Sequence, residues 1–148
     1  MLTIGFSTRT SPETMVALSA SPYLFTIANI FASTSIGFGL NAILRPIPAL
    51  AMFGELEYKP ASPLDKKVID TLMLVYGVRN LYMGLAVFAA AYYNHAQMLG
   101  WLLIAGSAIG FADGAICRKV IGHGQGSHWM LVPMFSAVGA VCLGLLDS

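Results

Sequence analysis

Residues 67–93 read KVIDTLMLVYGVRNLYMGLAVFAAAYY. A helix needs about 20 mostly apolar residues to cross the hydrocarbon of a bilayer, and this stretch supplies them. Three more stretches have the same character. Residues 22–44 run from Pro22 to Leu44 and stop at Arg45-Pro46. Residues 98–117 stop at Arg118-Lys119, and residues 128–146 run from His128 to Leu146. Lipid offers no partner to a bare backbone amide, so each stretch is expected as a helix.

Composition gives the same class. The chain of 148 residues is 57 % hydrophobic and 10 % charged, with a mean hydropathy of +0.72. A soluble domain has about 25 % charged residues, and a small one has too much surface to cover with fewer. The net charge is +1, and no basic stripe is present to follow a phosphate backbone, which excludes nucleic acid as partner. The expected fold is an all-α integral membrane four-helix bundle. Residues 1–21 form a short polar tail, and residues 22–148 form a single four-span domain.

The links set the orientation. Arg45, Lys59, Lys66 and Lys67 lie in or beside the first link, and Arg118 and Lys119 border the third. The second link, Tyr93 to Gln97, has no cation and is short enough to make a hairpin. Positive charge marks the cytosolic side, so the first and third links face the cytosol and both termini face the lumen or exterior. The endoplasmic reticulum is the default membrane for such a chain in a eukaryote. The first link holds Pro46, Pro48, Pro60 and Pro63, yet its first half, Ile47 to Leu56, is apolar. That half is expected to lie in the interface or to fold back over the bundle as a lid. Cys117 and Cys142 differ in depth by roughly 20 Å, too far for a disulfide.

Ionisable groups inside a span cost roughly 2.5–3.5 kcal/mol each on insertion scales, so each needs a reason. Asp70, Arg79 and Asp113 are such groups, with Asn41, Tyr76 and Asn80 as polar neighbours. From the rise per residue, Asn41, Asp70 and Asp113 lie about 5–7 Å from the cytosolic end and Arg79 about 18 Å. Side chains tilt toward the N-terminus of their helix, so Arg79 leans up and Asp113 leans down. An Arg79–Asp113 pair is expected. The structural alternative is that these groups only tie helices together and fix their register. The chemical alternative is a polar pocket in the cytosolic half, where two carboxylates in unlike surroundings divide into an acid and a base.

Other features read as structure. Gly106, Gly110 and Gly114 are four apart and form a packing face, as do Gly37 and the pair Ala140 and Gly144. His123 and His128 are too few for a metal site, and none is expected. His128, beside Trp129, marks the interface but stays near the level of the pocket. The glycines at 122, 124 and 126 join two spans and carry no nucleotide signature.

The segments Arg45-Pro46-x-x-Ala49, Tyr76-Gly77-Val78-Arg79-Asn80-Leu81-x-x-Gly84, Ala112-Asp113-Gly114, Gly122-His123-Gly124 and His128-Trp129 resemble small four-span membrane proteins of fungal secondary metabolism. These include the epoxide hydrolases or cyclases of aurovertin- and citreoviridin-type polyketide pathways. The resemblance covers roughly residues 22–146 and implies a lipophilic polyketide epoxide as substrate. Opening an epoxide needs a proton on the leaving oxygen and a base on the attacking hydroxyl. Soluble limonene epoxide hydrolase is similar in using an Asp–Arg–Asp set on an unrelated fold. By that analogy Asp70 and Asp113 are acid and base, and Arg79 orients them. Tyr76, Asn80, Asn41 and His128 position the water or the substrate oxygen. No cofactor is expected. The partners are the substrate and membrane lipid, and association as a homo-oligomer is left open.

Other classes use the same residues differently. An isomerase or cyclase of a lipophilic terpenoid or polyketide needs the same carboxylates. A small multidrug exporter needs an acidic residue in the first span, which has none. A glutathione-transferase-like trimer needs cationic groups at the cytosolic face, which Arg45, Arg118 and Lys119 supply. A non-catalytic membrane scaffold needs the charges only for register.

Overall fold

The computed structural model describes residues 18–54 and 58–147, and these are helical throughout, with no strand among them. A 3₁₀ turn at Leu18–Ala20 leads into α1, Pro22–Leu44. A short helix α2, Pro46–Ala49, and a 3₁₀ turn, Leu50–Phe53, follow. The remaining helices are α3 (Pro63–Tyr92), α4 (Ala96–Ile116), α5 (Gln125–Trp129) and α6 (Val132–Cys142), with a π-helical turn at Cys117–Ile121 after α4. Three helices are long and apolar enough to cross a membrane: α1, α3, and α4 with its π-helical extension.

Local sequence sets the ends. Pro46 cannot continue α1, because its ring clashes with the turn before it. α3 starts earlier than the apolar run suggests. Ser62 caps it, its hydroxyl accepting from the Asp65 amide at 3.1 Å, and Pro63 fills the first helical position. The hairpin between α3 and α4 turns through Asn94 at a positive φ of 52°. All but residues 18–21 of the expected tail lie outside the described residues, as do residues 55–57 of the first link.

The expected continuous fourth helix over residues 128–146 is absent. The chain there is broken into the short α5 and the longer α6, separated at Met130 and Leu131. Pro133 is the cause: it has no amide proton, and its ring displaces the carbonyl of Trp129 one turn back. The two pieces still run back along α4. At the far end Ser19 donates from its amide and hydroxyl to the Asp147 carboxylate, so the start and finish of the described chain meet there.

Packing is by pairs, α1 against α3 and α4 against α6. Small residues set the closest approaches. A Cβ on Gly77 would come 2.7 Å from the Gly39 carbonyl and 2.5 Å from Ile43 Cγ1. One on Gly84 would come 2.8 Å from the Ala32 carbonyl. Between α4 and α6 the pair is Gly100 and Gly139. The expected packing glycine Gly37 has open space around it, and Gly39 does that work instead. Leu99, Leu103 and Cys142 are fully buried in the main core with Ala28 and Ala32. Cys117 and Cys142 are both free and buried. Leu72, Val75 and Leu85 on α3 face outward, as in a helix that meets lipid.

Candidate functional site

A cavity of about 340 Å³ lies between the helices, with walls from α1, α3, α4, α5 and α6. Its polar end is built on α3 and α4. Arg79 Nη2 donates to Asp113 Oδ2 at 2.6 Å, and Nη1 donates to Oδ1 at 3.3 Å. This two-point fork links α3 to α4 and is the strong form of an arginine–carboxylate contact. The Asp113 side chain is 15 % exposed and that of Arg79 37 %. The expected pair forms because both residues sit on long regular helices, where rise and side-chain tilt fix their levels.

Tyr76 sits one turn before Arg79, and its ring lies 4.9 Å under the guanidinium. Asn80 is buried, and its amide donates to the Tyr76 carbonyl at 2.9 Å. The Asn80 carbonyl accepts from the Ser35 hydroxyl at 2.9 Å, which pins α1 to α3 beside the cavity. His128 on α5 closes the wall opposite α3 and is buried. Its Nε2 atom has no hydrogen-bond partner among the described residues, and neither has Arg79 Nε. A buried polar atom without a partner costs free energy, which a ligand group can recover.

Residues 47–54 of the first link do fold over this site. Ala49 is buried, and Ala51 and Met52 line the cavity. Phe53 places its ring edge against Tyr76 at 5.0 Å and leans on His128 at 5.4 Å. Gly54 (φ 95°) and Gly124 (φ 85°) meet behind it, and a Cβ on Gly124 would collide with the Phe53 carbonyl. The lid is therefore docked onto the link between α4 and α5. Among the lining residues Thr34, Phe38 and Ser127 are exposed. They mark an opening between α1 and the α5–α6 segment, where α1 and α6 barely touch.

Two expected members stand apart. Asp70 does not line the cavity. It accepts from Lys66 Nζ at 2.5 Å, one turn earlier on α3, beside a separate surface hollow. Nine residues are two and a half turns, so Asp70 points to the opposite side of α3 from Arg79. Equal depth had suggested a shared pocket; rotation about the helix decides otherwise. Asn41 lies near the end of α1, outside the cavity lining, and its carbonyl accepts from the Arg45 amide at 2.8 Å. Arg79, Asp113, Tyr76, Asn80 and His128 are brought together.

Sequence reasoning missed Ser107, which is buried in the wall and shares a 2.6 Å hydrogen bond with Ser136 of α6. It also misassigned two glycines. A Cβ on Gly106 would meet Met83 at 3.4 Å, and one on Gly110 would meet Val132 at 3.6 Å. These are ordinary contacts, so both glycines leave room for the cavity, whereas Gly114 does pack tightly, under the Trp129 indole. The available signal was their place one and two turns before Asp113 on the face that Arg79 meets. No group of three or more potential metal ligands occurs among the described residues.

No curated protein and no solved structure matches the chain. Residues 32–142, which include every polar residue of the site, match the family model described as Domain of unknown function (DUF4267), and the chain belongs to that family.

Proposed function

We propose that the protein is a membrane-embedded acid–base catalyst that opens the epoxide of a lipophilic polyketide, by water or by an internal hydroxyl. One observation carries the reading. An ion-paired carboxylate and a histidine with an unpartnered nitrogen share a mostly apolar cavity inside a bundle of membrane-length helices. Asp113 takes the proton of the attacking hydroxyl. His128, in place of Asp70, delivers a proton to the epoxide oxygen as the carbon–oxygen bond breaks. Arg79 holds Asp113 in position and balances its charge, and Tyr76 and Asn80 orient the substrate oxygen. Proton return from Asp113 to His128 through solvent resets the site. The reaction draws on these side chains alone.

In this reading α5 and α6 together make a fourth crossing, and the lid and the third link face the cytosol of the endoplasmic reticulum. The contact between Ser19 and Asp147 supports an even number of crossings. The opening beside Thr34 and Phe38 then faces lipid, so a bilayer-soluble substrate reaches the site sideways. The apolar lining, from Phe31, Ile109 and Phe135 among others, suits a lipophilic substrate that carries its own hydroxyl nucleophile. An isomerase of a similar lipophilic substrate would use the same two proton-transfer groups.

Microsomes carrying the protein, given a polyene epoxide in ¹⁸O-labelled water, test the proposal by mass spectrometry. A labelled diol that Asp113→Asn abolishes and Asp70→Asn leaves intact supports water attack. An unlabelled ring product with the same dependence supports cyclisation. Unchanged epoxide, or equal turnover by Asp113→Asn, refutes the proposal.

A further inference from the structure

A second chamber of about 140 Å³ adjoins the first. The two share Phe31, Ser35, Met83, Gly106, Ile109 and Phe135 as common wall. The second runs between α3 and α4, past Gly84, Val87, Leu102 and Leu103. Its lining is apolar but for Ser35 and Tyr82, and the Ser35 hydroxyl is already engaged with the Asn80 carbonyl. It therefore has little to offer a polar group and suits a hydrocarbon.

Its position along α3 gives it a direction. Arg79 lies at the polar end of the first chamber and Val87 at the far end of the second. Eight residues of α-helix between them span about 12 Å. The charged end lies toward the lid, and the apolar end reaches toward the α3–α4 hairpin.

The neck between the chambers is narrow and is set by one missing side chain. A Cβ on Gly106 would lie 3.4 Å from Met83 Cε and 3.5 Å from the Phe135 ring. Glycine thus keeps clear the space between Met83 and Phe135 that a side chain would fill.

We propose that the two chambers form one head-and-tail site for an amphiphile: a single polar head held between Arg79 and His128, and an unbranched or polyene chain that threads the Gly106 neck into the second chamber. This rests on the proposed function for the site but narrows it. Chain length beyond the head, not the head alone, then sets which compounds bind. A compact ring system would fill the first chamber and stop at the neck.

The test uses the purified full chain in nanodiscs and a homologous series of terminal epoxides, 1,2-epoxyhexane, 1,2-epoxydecane and 1,2-epoxytetradecane. Binding is read as displacement of a fluorescent conjugated-tetraene fatty acid, independently of turnover. The parent protein should bind the longer compounds at least tenfold more tightly than the hexane. Gly106→Leu should plug the neck and remove that preference, the tetradecane losing far more affinity than the hexane. Ala86→Leu, which intrudes on the half-buried far wall, should weaken the tetradecane most. It serves as the second probe if Gly106→Leu does not fold. Equal affinity along the parent series, or equal loss for all three compounds in a folded variant, overturns the head-and-tail site. Length-dependent binding without any product in ¹⁸O-labelled water would leave this site standing and refute the epoxide-opening reading.

Discussion

Replacing Arg79 with methionine separates two roles of the fork that the structure superimposes, holding the bundle and holding a proton-transfer group. The variant leaves the Asp113 carboxylate, only 15 % exposed, without its cation. Breaking a buried ion pair by removing one member costs roughly 3–5 kcal/mol, but the guanidinium side is more than a third exposed and solvent screening reduces the figure. We expect Arg79→Met to lose about 2–3 kcal/mol of stability. Asp113→Leu should lose less, roughly 1–2 kcal/mol, because Arg79 keeps its solvent contact and the Tyr76 ring 4.9 Å away. The double variant puts two apolar side chains across the same gap and should return to within about 1 kcal/mol of the parent. The coupling in the double-mutant cycle is then about 2–4 kcal/mol. Reversible unfolding in mixed micelles, followed by circular dichroism, gives all four stabilities. Additive losses in the double variant would refute the pairing argument. Product formation by the stable double variant would refute a chemical role for Asp113, leaving the fork as glue.

The remaining predictions concern packing, the lid and the chain ends. Gly77→Ala should destabilise by about 1–3 kcal/mol, because its Cβ meets the Gly39 backbone and Ile43, while Gly37→Ala, with open space around it, should be neutral or slightly stabilising; parallel unfolding curves distinguish the two. Gly124→Ala should lift the lid, because a side chain there strains a φ of 85° and collides with the Phe53 carbonyl. Faster thiol labelling of Met52→Cys would report it, and an unchanged rate would count against a docked lid. Hydrogen bonds from the Ser19 hydroxyl and amide hold the exposed Asp147 carboxyl below the ordinary aspartate range. A depressed carboxyl stabilises the contact above its unfolded value, and the contribution is lost as pH falls through the lowered value. Amide exchange at Ser19 should therefore accelerate only in acid, and Ser19→Ala should bring the Asp147 titration back toward the ordinary range.

The amino-acid sequence by itself determined the class of the protein, because so few charges cannot cover a soluble surface of this size. It also determined α1 from Pro22 to Leu44, since the apolar run and the Arg45-Pro46 stop coincide. The meeting of Arg79 with Asp113 followed from arithmetic along two regular helices, in which rise and side-chain tilt are fixed by backbone geometry alone. Depth is legible in this way because it accumulates along one chain. Relative phase on one helix is legible too, whereas which side of each helix finds a partner is not. Asp70 shares the depth of Asp113, but it lies half a turn out of phase with Arg79 and ends beside Lys66. Only the packed bundle decided that Gly39, Gly77 and Gly84 bring helices together while Gly106 and Gly110 keep a cavity open. A missing side chain permits both outcomes, and the choice belongs to the neighbour across the gap. The break at Pro133 was not read from the apolar run over residues 128–146, and of His128 the level was legible but not the side it would face. It reached the cavity because the break sets α5 against α4 and the lid lays Phe53 across its ring.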